Sequence, residues 1–185
     1  MRHFLLSILL SFTAFMITSC QQQPQATEAL PQWEAQLSEK MPLLGHRNWI
    51  VITDMAYPLQ SGAGITTLCA DEPYTEVLRK VKAQIDAAPH VFAHVYHDRE
   101  LDFIAEADMP GVDSLRAEMA KICGDEAQSV LHEELLEKMD AASRLYNIVI
   151  IKTPLTMAYT TTFFELDCAY WNGEKQQHLM ERMKE

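Results

Sequence analysis

Residues 49–53, WIVIT, form a continuous run of apolar and β-branched side chains between polar neighbours. A run of this length without polar alternation is typical of a β-strand that is covered on both faces of its sheet. A second run of the same kind, YNIVIIK, occupies residues 146–152. These two segments predict a sheet with structure packed against both of its faces.

The segments around these two runs carry alternating helical and strand patterns. Apolar residues at helical spacing predict helices over residues 71–88, 113–123 and 126–144. Short apolar segments predict further strands over residues 91–96, 101–104 and 159–166. The polar tail from residue 174 has a weak helical pattern. Strands that alternate with helices indicate an α/β layered domain with a central, largely buried sheet flanked by helices.

The composition is that of one folded, acidic domain. The chain has 185 residues, of which 48% are hydrophobic and 22% are charged, and this is enough to bury a sizeable core. Asp and Glu outnumber Lys and Arg by 26 to 15, which gives a net charge of −11. Because the sequence also lacks a basic cluster, this charge argues against a nucleic-acid partner.

The start of the chain predicts a lipoprotein signal peptide. A weakly basic beginning is followed by uncharged residues 4–16, which have the length of a secretory signal rather than of a membrane-spanning helix. Residues 17–20, ITSC, resemble a bacterial lipobox. Residues 1–19 are therefore expected to be removed and Cys20 to carry the lipid. The alternative is an N-terminal helix packed into the core.

The polar segment after Cys20 predicts a flexible tether. The glutamines that follow the cysteine cannot bury apolar surface, so residues 20–40 are interpreted as the lipidated cysteine and its tether. The remaining residues 41–185 are predicted to form a single domain. Lipidated in this way, the protein is expected in the bacterial cell envelope, facing the periplasm or the exterior, with membrane contact through the anchor only.

The sequence lacks the common signatures of nucleotide and metal sites. It contains no GxSxG elbow, no phosphate-binding loop and no complete dinucleotide motif. His90, His94 and His97 are close in sequence, but on the predicted strand His94 and His97 point to opposite faces, so no metal site is predicted. The charged residues 98–100 are interpreted as a solvated turn, and the alternative is that the carboxylates of Asp98 and Glu100 serve in acid–base chemistry. Besides the lipobox cysteine, three widely spaced cysteines fit neither a disulfide framework nor a CxxC site; they are Cys69, Cys123 and Cys168.

Two motifs carry the candidate functional residues. The first is LGHRNWIVITDMAYP, residues 44–58, in which His46 precedes the buried strand and Asp54 ends it. Residues at the carboxyl ends of strands line the ligand crevice of open α/β sheets. Asp54 is therefore expected either to bind ligand hydroxyls or to cap the next turn. The second motif is AYTT, residues 158–161, at the entry to the last predicted strand.

Together these motifs resemble the D-ribose pyranase / L-fucose mutarotase family. The family pattern of Leu-Gly-His, an apolar strand and Asp is matched by residues 44–54, with the same spacing of eight between His46 and Asp54. The family's last strand carries a basic residue and then Pro-Tyr-x-Asn, and a His-Glu pair lies ahead of it. The residues that fall on these positions are Lys152, Tyr159, Thr161 and His132-Glu133.

The resemblance implies a mixed sheet and a monosaccharide mutarotase or pyranase that interconverts anomers or ring forms and requires no cofactor. It implies that His46 and Tyr159 are the acid–base catalysts, since a histidine has a pKa near neutrality. The substrate-binding residues implied are Asp54, His132, Thr161 and Tyr57.

The length of the first strand limits how His46 and Asp54 can share a ligand. Residues 49–53 span about 17 Å when extended, so the two residues lie at opposite ends of the strand. They can contact one sugar only if the turn at Gly45 folds back or if a second chain contributes one of them. The family forms ring-like oligomers with sites at subunit contacts, and the same is expected here. Two alternatives remain, a non-catalytic monosaccharide-binding lipoprotein of the envelope and a structural oligomer beneath the envelope.

Overall fold

The computed structural model describes residues 30–125 and 127–184. The predicted signal peptide, with Cys20, lies outside the described residues. Within the described part, no helix combines the length and the apolar character needed to cross a bilayer.

A six-stranded mixed sheet forms the centre of the molecule. In the order β2-β5-β1-β6-β3-β4, every neighbouring pair is parallel except the two pairs made by β6. Five strands therefore run in one direction and β6 runs in the other. The strands are β1 (Trp49–Thr53), β2 (Ile65–Cys69), β3 (Val91–Asp98), β4 (Gln128–Val130), β5 (Ile148–Lys152) and β6 (Thr162–Cys168). The predicted α/β class with a mixed central sheet is confirmed.

Helices cover both faces of this sheet. The first three contribute buried residues to one core and the fourth to a second core on the opposite face. The fifth helix has no buried residue. The helices are α1 (Gln32–Lys40), α2 (Tyr74–Ala87), α3 (Val112–Cys123), α4 (His132–Ser143) and α5 (Gly173–Arg182).

The side chains of β1 explain why its sequence is apolar without interruption. Ile50 and Ile52 belong to the core beneath α1, α2 and α3, whereas Trp49 and Val51 belong to the core beneath α4. Because successive side chains of a strand point to opposite faces, a central strand covered on both sides has no polar position. All five residues of β1 are buried.

The structure corrects the predicted elements at three places. Residues 101–104 are not a strand, because Arg99–Phe103 forms a short 3-10 helix in which Leu101 is the one buried residue. The predicted helix over 126–144 begins only at His132, since the residues before it form β4 and pair with the end of β3. Strand β2 was not predicted; it lies at the edge of the sheet, where most of its side chains are partly exposed.

The folded domain begins before residue 41. Helix α1 lies within the segment interpreted as a tether, and its Trp33 and Leu37 are 2% and 0% exposed. Both side chains belong to the larger core, so residues 32–40 are part of the domain. A nine-residue helix with only two buried residues is a weak sequence signal, especially between polar segments.

Gly64, at the start of β2, allows close contact with the loop before β5. A Cβ atom at this position would lie 2.7 Å from the carbonyl oxygen of Tyr146 and 2.8 Å from that of Ser143. Since backbone atoms cannot move aside as a side chain can, we expect Gly64→Ala to lower the free energy of unfolding by about 1–3 kcal/mol.

Gly62→Ala is the matched control for this prediction. A Cβ at Gly62 would meet only the side chain of Ile65, at 3.1 Å. Urea denaturation followed by circular dichroism should therefore show that Gly64→Ala lowers the free energy of unfolding clearly more than Gly62→Ala does. Equal midpoints for the two variants would contradict the close contact.

Candidate functional site

A cavity lies at the edge of the sheet where the five parallel strands end. Asp54 follows β1 and His132 follows β4, while Tyr159 and Thr161 precede the antiparallel strand β6. The cavity has a volume of about 820 Å³, within the range of about 300–1,000 Å³ that is usual for small-molecule sites. The topology of the sheet thus brings together side chains that are far apart in the sequence.

Asp54 both caps a turn and lines the cavity. Its Oδ1 accepts hydrogen bonds from the backbone N–H of Ala56 at 2.6 Å and of Tyr57 at 3.1 Å. These bonds fix the turn that follows β1, so the turn cap considered for this carboxylate is present. The side chain also lines the cavity, and its role toward a ligand stays a prediction.

Tyr159 projects into the cavity from a constrained backbone. Its φ of 57° lies in the left-handed region, which is unusual for a residue other than glycine and tends to persist at functional sites. The side chain is 42% exposed, and its ring meets that of His132 edge-on at 5.6 Å between centroids. Thr161, two residues further on, is buried and lines the same cavity.

His132 is held by a buried carboxylate. Its Nδ1 is 2.9 Å from Oδ1 of Asp98, which is 0% exposed at the end of β3. Oδ2 of Asp98 accepts the backbone N–H of Thr161 at 3.3 Å. The hydrogen bond to Asp98 raises the pKa of His132 above its ordinary value, against the opposing effect of burial.

Asp98 is the site residue that sequence reasoning missed. The interpretation of residues 98–100 as a solvated turn is wrong for Asp98, because β3 continues to this residue and buries it. A signal was available: an acidic residue at the carboxyl end of a predicted strand occupies the same type of position as Asp54. The strand was predicted to end too early for that signal to be recognised.

Tyr57 forms part of the cavity wall but belongs to the core. It is 6% exposed and packs in the cluster beneath α4. Its hydroxyl accepts from Nε2 of Gln60 at 3.2 Å and contacts the sulfur of Met139 at 3.7 Å. Burial raises the pKa of this phenol, so it stays protonated at neutral pH. Further apolar wall is supplied by Met55, Leu136 and Met157.

His46 lies at the opposite edge of the sheet, before β1. Its Nδ1 is 2.5 Å from Oδ1 of Asp167, and its Nε2 accepts from Nε of Arg47 at 3.0 Å. His94 approaches the other carboxylate oxygen of Asp167 at 3.4 Å. Partial burial opposes ionisation of Asp167, but the N–H of Cys168 and the two imidazoles outweigh it and lower its pKa.

Of the six predicted site residues, the structure brings five into one cavity and leaves the sixth, His46, outside it. The five are Asp54, Tyr57, His132, Tyr159 and Thr161. The roles assigned to all six stay predictions. The separation of His46 from Asp54 follows from the length of β1, as the sequence indicated.

Solved structures with the same architecture were found by structural comparison. RbsD of Bacillus subtilis, complexed with D-ribose, superposes with a TM-score of 0.51 over 72% of this chain and 92% of its own, at 14% identity. The chain shares its fold. FucU from Bifidobacterium longum superposes with a TM-score of 0.51 over 75% of this chain and 96% of its own, at 17% sequence identity. A fucose mutarotase from Streptococcus pneumoniae, in complex with L-fucose, superposes with a TM-score of 0.51 over 76% of this chain and 97% of its own, at 16% sequence identity.

These structures are matched over nearly their whole length, so the likeness is one of fold and not of a single motif. At the level of sequence, no family model and no curated protein matches the chain. At identities this low, the comparison establishes the fold.

Proposed function

We propose that this protein interconverts the anomers or ring forms of a monosaccharide in the cavity at the carboxyl edge of its sheet. The observation that supports this most strongly is the convergence of Asp54, His132 and Tyr159 on one cavity. The fold is shared with proteins that hold D-ribose or L-fucose in their structures. A carboxylate, an imidazole and a phenol are the groups that bind sugar hydroxyls and transfer protons.

The ring opening and closure that this reaction involves need only an acid and a base as catalysts. A base takes the proton of the anomeric hydroxyl while the bond from the anomeric carbon to the ring oxygen breaks and an acid protonates the ring oxygen. The resulting carbonyl rotates, and the reverse transfers close the ring and restore both groups. In this proposal Tyr159 is one of the two proton-transfer groups. Asp54, Thr161 and His132 bind hydroxyls, with Tyr57 in the wall behind them.

His46 is proposed as the second proton-transfer group, supplied by a neighbouring subunit. Within one chain, β1 separates it from the cavity. Its exposure favours contact with another copy, since its side chain is 54% accessible. The active form is accordingly proposed to be a homo-oligomer whose sites lie near subunit contacts.

The location proposed for this enzyme is the bacterial cell envelope. The sequence of residues 17–20 supports lipidation of Cys20. Because α1 begins at Gln32, the tether that we propose ends before this residue. Tethers of this kind keep a folded domain close to a membrane through the lipid alone.

The alternative is a monosaccharide-binding lipoprotein without catalysis. One observation favours it: both ring nitrogens of His46 are engaged within the chain, by Asp167 and Arg47. An imidazole held in this way must exchange partners before it can transfer a proton to a sugar. A binder would need only the hydroxyl-binding residues of the cavity.

Exchange and saturation-transfer NMR on L-fucose and D-ribose separates these functions. We expect the wild-type protein to accelerate anomer exchange beyond the rate in the same buffer without protein. Saturation transfer to a sugar without faster exchange would favour the binder. Neither effect with either sugar, nor with other monosaccharides, would contradict both proposals.

A further inference from the structure

Asp98 is a fully buried carboxylate and the last residue of β3. Among the ion pairs of the described residues, no lysine or arginine pairs with it. Moving a charged carboxylate out of water is costly unless hydrogen bonds compensate. Both of its oxygens are used: one by Nδ1 of His132 at 2.9 Å and one by the N–H of Thr161 at 3.3 Å. Each partner lines the cavity.

We infer that Asp98 is a positioning residue of the cavity, which fixes the ring of His132 so that Nε2 is the nitrogen that contacts the sugar. The inference rests on the proposed function. Since a carboxylate only accepts, Nδ1 of His132 must carry a proton, and Nε2 is left for the ligand. The same carboxylate holds the backbone of Thr161, so one buried group orients two walls of the cavity.

The charged groups around His132 influence whether its Nε2 carries a proton when it contacts the ligand. A neighbouring 3-10 helix supplies Glu100, whose carboxylate accepts the backbone N–H of His132 at 3.1 Å. Helix α4 supplies Glu133, and the loop before β6 supplies the Tyr159 ring. These carboxylates and Asp98 raise the pKa of His132 above its ordinary value of 6.5.

The raised pKa predicts a pH dependence of sugar binding. Below the pKa of the folded protein, His132 is an imidazolium and Nε2–H donates a hydrogen bond to a sugar oxygen. As the pH rises through that pKa, the donor is lost and Nε2 becomes an acceptor. A sugar hydroxyl still donates to the neutral Nε2, but that bond is weaker than the charge-assisted bond from the imidazolium, so sugar affinity is expected to fall with rising pH across this window. Asp54, on the turn that follows β1, also lines the cavity.

The test is NMR of the imidazole nitrogens combined with sugar titrations. In the wild-type protein, we expect His132 to titrate above 6.5 and, once neutral, to carry its proton on Nδ1. Asp98→Asn keeps the shape and removes the charge. It should lower the pKa of His132 and weaken binding of L-fucose or D-ribose by about tenfold, because the imidazole of His132 and the N–H of Thr161 lose their charged acceptor.

Asp102→Asn is the matched control. This carboxylate approaches Nε2 of His97 at 3.5 Å and lies outside the cavity, so the same substitution removes a histidine–carboxylate contact elsewhere. Sugar affinity and the pKa of His132 should stay at their wild-type values.

The possible results distinguish a failure of the inference about Asp98 from a failure of the proposed function. Binding and a His132 pKa that are unchanged in Asp98→Asn would overturn the inference and leave the proposed function intact. If that variant does not fold, the wild-type titration still decides, because a neutral His132 with its proton on Nε2 would overturn the inference alone. Failure of the wild-type protein to bind any monosaccharide would overturn both.

Discussion

Replacing Tyr159 with phenylalanine is expected to lower the rate of anomer exchange by about 100-fold or more, while sugar affinity stays near its wild-type value. The substitution keeps the ring that packs against His132 and removes only the hydroxyl. An interaction that is needed for proton transfer in the transition state affects the rate more than binding. Tyr159 lines the cavity from a constrained backbone, with φ of 57°.

Tyr170→Phe is the appropriate control for this experiment. Tyr170 is 69% exposed and does not line the cavity, so the loss of its hydroxyl should leave the exchange rate unchanged. Exchange NMR gives the rates, and titration of the sugar resonances gives the affinities. If Tyr159→Phe lost affinity and rate in equal measure, its hydroxyl would be a binding group rather than a proton-transfer group.

The position of the site was predictable because buried strands have a strong sequence signal. Residues 49–52 and 148–151 are apolar without interruption, since both faces of β1 and β5 are covered. The ends of these strands predict where the carboxyl edge of the sheet lies, and Asp54 is placed at that edge because it directly follows β1. The element order could not be deduced in the same way, because the pairing of β6 between β1 and β3 depends on contacts distant in sequence.

The place of Asp98 in the site, beside the predicted His132, was missed for a physical reason. Asp98 and His132 follow two neighbouring parallel strands, but β4 has only three residues and pairs only with the end of β3. A strand this short gives no periodic pattern, so the segment before His132 resembled the start of a helix. Without β4, nothing in the sequence indicated that the carboxylate of Asp98 would meet an imidazole 34 residues later.

The arrangement has a consequence for assembly. Exposed apolar side chains, Met55 and Leu59, lie on the turn that carries Asp54, at 54% and 77% exposure. At the other edge, His46 is also accessible. A contact that joins the cavity edge of one subunit to the His46 edge of the next would cover the first surface and complete the site. Such a head-to-tail contact closes into a ring when its rotation allows.

Two inactive variants, His46→Ala and Tyr159→Phe, are therefore expected to regain activity when they are refolded together. If each site takes His46 from one subunit and Tyr159 from its neighbour, a random mixture contains sites with both native residues. For an equal mixture this is expected at about a quarter of the sites, so about a quarter of the wild-type exchange rate should return. Each variant refolded alone should remain inactive.

The pair His132→Ala and Tyr159→Phe provides the decisive control. Both residues line the same cavity of the same chain, with their rings 5.6 Å apart. Mixing these variants cannot place two native residues in one site, so no activity should return. Recovery in the first mixture and none in the second would assign His46 to the neighbouring subunit. Full activity of His46→Ala alone, or no recovery in either mixture, would contradict a shared site, and the acid–base groups would then have to come from the cavity of a single chain.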